Sequence, residues 1–108
     1  MATGGPAGHN AGMEYLVRTV DGQEWPAVHR DRLAAVLIPG ADWRVVEGIG
    51  DLVIAADACT VTLSGEPPGW QVVIEGTLTP QQTDGLIGTI TQQVADEVGE
   101  PCEWLRIG

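Results

Sequence analysis

Lysine and phenylalanine are both missing from this sequence, while histidine and cysteine occur only twice each and tyrosine once. Without lysine there is no P-loop amine, no Schiff-base nucleophile and no Ser–Lys pair. The five basic residues are all arginines, and fifteen acids oppose them, for a net charge of −10. Phosphate backbones and anionic membrane surfaces repel such a chain, which excludes nucleic-acid binding through a basic patch. Cys59 and Cys102 stand far apart, in neither a CxxC nor a zinc-motif spacing. No segment approaches the roughly 18 consecutive apolar residues of a membrane span. The first residues lack the basic start and apolar run of a secretory leader. The expectation is a cytoplasmic protein with reduced thiols. Arginine as sole base, with abundant alanine and glycine, fits a GC-rich bacterial genome.

What remains is ordinary globular material. The chain has 108 residues, of which 44% are hydrophobic, enough for one domain with one core. Residues 1–12 hold glycines, Pro6 and His9 but no bulky apolar side chain after Met1, and read as a flexible tail. The folded domain is expected over 13–108.

Glu14–Val20 reads as a strand closed by the turn dipeptide Asp21-Gly22, with Gln23–Trp25 pairing back until Pro26 stops it. Residues 27–38 fit either a helix or a buried strand; Val28, Leu33, Val36 and Leu37 at helical spacing favour the helix, ended by Pro39-Gly40. Short strands follow at Trp43–Glu47, Leu52–Ala55, Cys59–Ser64 and Trp70–Glu75. Cys59, Val61 and Leu63 alternate with Thr60, Thr62 and Ser64, the pattern of a strand with one wet face. A second helix opens on Thr79-Pro80-Gln81-Gln82, a capping box with proline at the first helical position. Ile87, Ile90, Val94 and Val98 give it an apolar stripe, and Gly99 and Pro101 end it. Cys102–Ile107 is the last strand. The fold class expected is α+β: a two-layer sandwich, with an antiparallel sheet of about five to six strands and two helices on one face.

No catalytic motif emerges. Cys59, Cys102 and Ser64 are the candidate nucleophiles, His29 is the one base in the folded region, and none sits in a recognisable nucleophile motif. His29 and Asp31, two apart, would point to different helix faces. Gly48-Ile49-Gly50 has no helix after it to cradle a phosphate. Catalytic, cofactor and metal residues are therefore expected to be none. Gly85 and Gly88, three apart in the second helix, are expected to pack against the sheet, or else against another helix in a dimer.

Two features point towards a partner. Asp96, Glu97, Glu100 and Glu103 crowd the end of the second helix, where the partial negative charge of the helix terminus makes acids mildly unfavourable. They are the candidate docking residues for a basic protein. Four tryptophans accompany them, and Trp70 and Trp104 join the candidate surface as aromatic anchors, Trp70 being expected to stand partly exposed after the Pro-Pro-Gly turn. The expected function is a non-catalytic, acidic protein-binding module, an immunity-type inhibitor or adaptor docking a basic partner. The alternative is a homo-oligomeric or assembly subunit of a larger bacterial or phage complex, ahead of a small-molecule binder or enzyme.

Overall fold

Strands rich in β-branched residues alternate with turn dipeptides along the chain, and they assemble into one open antiparallel sheet. The computed structural model describes residues 12–37, 40, 42–57, 59–66 and 69–108. The elements run β1 (Met13–Thr19), α1 (Arg30–Val36), β2 (Arg44–Val45), β3 (Leu52–Ala56), β4 (Cys59–Glu66), β5 (Gly69–Gly76), α2 (Pro80–Val98) and β6 (Cys102–Arg106). The sheet order is β2-β3-β4-β5-β1-β6, with every neighbouring pair antiparallel. This is the α+β class with six strands and two helices, one of them long. The expected tail lies, apart from Gly12, outside the described residues, as do Pro39 at the expected end of the first helix and Pro67-Pro68 in the turn before Trp70.

The alternation sets the register. Tyr15 pairs with Val72 and Val17 with Trp70, while Val61 pairs with Ile74 and Leu63 with Val72. These side chains share one sheet face and are buried together with Ile54, Leu52 and the α2 stripe Ile87, Ile90 and Val94. The opposite face carries Thr60, Thr62 and Ser64, all half-buried, as the amphipathic strand requires. Helix α2 packs against β1 and β6, and α1 packs against α2.

Local chemistry explains the second helix. The Thr79 hydroxyl accepts the Gln82 amide at 3.1 Å, and the Gln82 side chain accepts the Thr79 amide at 2.8 Å. Two otherwise orphaned amides are thereby satisfied. At the other end Gly99 adopts φ 75°, and its amide donates to the Ala95 carbonyl at 2.8 Å. Only glycine enters that left-handed conformation without steric cost.

Three expectations change. Gln23–Trp25 does not become a strand: Gly22 and Gln23 turn the chain at φ 79° and 51°, and the Thr19 amide closes the turn on the Glu24 carbonyl at 2.8 Å. β1 is flanked by β5 on one edge and β6 on the other, so a returning strand finds only the Thr19 amide to bond. The third strand shrinks to Arg44–Val45, because after Val45 the chain loops out through Gly48 and Gly50 and returns as β3. Gly85 and Gly88 do not pack against the sheet: among the described residues, a Cβ at either would have no heavy atom within 4 Å apart from the helix's own backbone. Their side of α2 faces away from the sheet.

Candidate functional site

The end of the molecule where β1 and α2 finish and β6 begins carries Asp96, Glu97, Glu100 and Glu103. Position comes from the backbone: the Val20 amide donates to the Pro101 carbonyl at 3.0 Å, fastening the β1 turn beside the start of β6. Thr19, buried at the end of β1, braces that turn, its hydroxyl donating to the Asp21 carbonyl and accepting the Glu24 amide, both at 2.8 Å. Asp21 and Glu24 thus join the end that carries Asp96 and Glu100.

The four acids of the helix end divide into two kinds. Glu97 is held by α1: the Arg32 Nε and Nη2 donate to its two carboxylate oxygens, each at 3.1 Å. Those hydrogen bonds hold the Glu97 carboxyl below the usual glutamate range. Glu103 is held by β1, its Oε2 accepting the Arg18 Nε at 2.7 Å. Arg18 and Glu103 pair directly across the ladder, so this contact lies on the sheet face away from Val17 and Trp104. Among the described residues, Asp96 accepts only the Gln92 amide group of its own helix, at 2.8 Å. Among the described residues, Asp96, Glu100, Asp21 and Glu24 form no ion pair.

The structure therefore brings Asp96 and Glu100 to one place and assigns Glu97 and Glu103 to structural pairs. Sequence reasoning missed Asp21 and Glu24. The signal was available in the Asp21-Gly22 turn, but the Val20–Pro101 bond that sets the turn beside Glu100 spans most of the chain.

A shallow depression of about 460 Å³ lies between the last turn of α2 and β6, lined by Gln92, Asp96, Gly99, Glu100 and Cys102 among others. Cys102 is half-buried and its thiol donates to the Glu100 carbonyl at 3.6 Å. Burial, with the Glu100 charge second, pushes that thiol pKa up, and burial does the same for Cys59. Both stay protonated at neutral pH, the wrong state for a nucleophile.

The aromatic part of the candidate surface is corrected. Trp70 is 2% exposed, and its indole N–H donates to the Pro26 carbonyl at 2.8 Å. Gly65 stands opposite it in the ladder, where a Cβ would lie 2.9 Å from the Trp70 ring and 2.6 Å from the Trp25 ring. The absence of a side chain on Gly65 is what admits the indole to the core. Trp25 packs edge-on against Trp70 at 5.6 Å and is the exposed ring of the pair. Trp104 is half-buried on β6, edge-on to Tyr15 at 5.4 Å.

His29 caps α1 instead of lying in it: its Nδ1 accepts the Asp31 amide at 3.2 Å, and the Asp31 carboxylate stands 3.7 Å from the same nitrogen. The divergence expected for two helical residues does not apply to a cap. Among the described residues no three His, Cys, Asp or Glu side chains gather closely enough to hold a metal ion. A second open groove, of about 510 Å³, runs along the β2–β3 loop and is lined by Val45, Val46, Gly48, Leu52 and Val53 among others. No helix among the described residues is long and apolar enough to cross a membrane.

Comparison with protein-family models, with curated proteins and with solved structures gave no match to this chain.

Proposed function

We propose that this chain is a non-catalytic, acidic protein-binding module of the immunity-inhibitor or adaptor kind, docking a basic partner at the end where β1 and α2 finish. The observation that carries the reading is the division of the acids. Glu97 and Glu103 each have an arginine of their own, whereas Asp96, Glu100, Asp21 and Glu24 have none among the described residues. Intramolecular stability accounts for the first pair. The second set gains no ion pair among the described residues, and Asp96 and Glu100 oppose the helix terminus, which is the arrangement electrostatic steering of a cationic protein would select. The helices are read as one layer over the sheet face that bears Tyr15, Val17 and Val72, giving a two-layer sandwich whose acidic end stays open. A cytoplasmic setting accords with the free thiols.

The test is association with a folded cationic protein at low and at high ionic strength. The reading expects binding that salt abolishes and that Glu100→Arg weakens. Glu103→Arg is the poorer variant, because it sets two guanidiniums together at Arg18. Binding that neither salt nor Glu100→Arg alters would refute the reading.

A second reading, assembly with another copy or within a larger complex, draws on Val45 and Ile49, which are 54% and 95% exposed around the open groove of the β2–β3 loop. Mass measurement in solution decides it.

A further inference from the structure

The two edges of the sheet are unlike. At one, β2 is two residues long; at the other, β6 runs for five and pairs with β1 alone among the described residues. In an antiparallel ladder, every second residue of the outer strand turns its N–H and C=O away from the neighbour. The phase is fixed at both ends: the Val20 amide donates to the Pro101 carbonyl, and the Ile107 amide to the Glu14 carbonyl at 2.8 Å. With the register unbroken between them, Glu103 and Leu105 bond inward to β1. Cys102, Trp104 and Arg106 therefore direct their backbone groups outward, along an edge no described strand occupies. Proteins commonly blunt such edges with proline, lysine or a bulge inside the strand. Residues Cys102–Arg106 contain no proline, lysine or bulge, and their charged side chains are Glu103, paired to Arg18, and Arg106.

The charge along this edge is one-sided. Asp96 and Glu100 stand at its Cys102 end, and Asp21 follows Val20, whose amide holds the Pro101 carbonyl. The only cation of the strand is Arg106, at its far end. Val20 and Ile107, about half exposed, offer apolar contact at either end.

We infer that the outer edge of β6 is the docking line itself: it takes an extended segment of a basic protein, whose main chain adds as a seventh strand while its arginine or lysine side chains reach Asp96 and Glu100. Main-chain bonds to Cys102, Trp104 and Arg106 give adhesion, and the carboxylates select the partner. The inference rests on the docking reading above. A second copy of this chain fits less well, since it brings two net charges of −10 together and offers the carboxylates at the Cys102 end only the guanidinium of Arg106.

The probe is the peptide acetyl-Arg-Val-Arg-Val-Arg-Val-amide, and the readout is residue-resolved amide hydrogen exchange at low ionic strength. In the free protein the amides of Cys102, Trp104 and Arg106 exchange fast while those of Glu103 and Leu105 are slow. With the probe at ~10 times its Kd, exchange at the three outward amides slows about tenfold, as the bound fraction requires. Arg106→Pro removes one outward donor and Arg106→Ala only the charge; the proline variant binds the probe more weakly than the alanine variant. Probe binding that leaves the outward amides unprotected overturns the edge and spares the docking reading. Failure of the probe while a folded cationic protein still binds does the same. Failure of both overturns both. Protection of the outward amides that grows with protein concentration alone assigns the edge to a second copy and also overturns the inference.

Discussion

Tyr15 lies in the core with its ring edge-on to Trp104, and its hydroxyl is buried with no hydrogen-bond partner among the described residues. Burying a hydroxyl without a partner costs on the order of 1–3 kcal/mol. Tyr15→Phe keeps the ring contact and removes the polar atom, so urea unfolding is expected to show stability unchanged or raised by about 1 kcal/mol. A loss larger than that would mean the hydroxyl is bonded. Trp70 is the contrasting case, since its N–H has the Pro26 carbonyl. Its burial was not legible in the sequence. A Pro-Pro-Gly turn ordinarily leaves its neighbour at the surface, and the space here comes from Gly65 across the ladder. The Asp96 and Glu100 positions were legible as acids misplaced at a helix terminus. The arginines that neutralise Glu97 and Glu103 were not, because each comes from a different element far along the chain.

At the scale of elements, α2 was readable almost to the residue. Its capping box, its apolar stripe and its terminal glycine are all local signals, and the helix spans the 19 residues they enclose. β2 and α1 were less readable, since short apolar runs carry no decisive period. The glycines of α2 make a direct test. With open space around both, Gly85→Ala and Gly88→Ala should each raise stability by roughly 1 kcal/mol through helix propensity. A loss in chemical unfolding would reveal a packing contact at that face. The α1–α2 tie supplies a pH dependence. The folded state lowers the Glu97 pKa below its unfolded value, so the tie stabilises above the unfolded glutamate range and is lost as pH falls through the folded value. Thermal midpoints of wild type and Glu97→Gln should differ near neutrality and converge below about pH 4. A constant difference across that range would deny the ion pair its role.

For the molecule as a whole, the consequence of net charge −10 depends on how it is distributed. Spread evenly, it would confer solubility and a general attraction for cations, and any two added arginines would weaken that attraction alike. Acids without an arginine of their own, such as Asp96 and Glu100 at the end of α2, would instead make one part of it a specific surface. Asp42 and Asp57 are exposed acids at the other end of the strands, next to β2 and β3 and away from β6. They provide a charge-matched control for the docking surface. The deciding measurement is the Kd of a folded cationic protein, at low and high salt, for wild type, Asp96→Arg/Glu100→Arg and Asp42→Arg/Asp57→Arg. A docking surface at the acidic end predicts salt-sensitive binding that the first double variant abolishes and the second leaves near wild type. Equal weakening by the two pairs would contradict it, for then the charge would act only as a total.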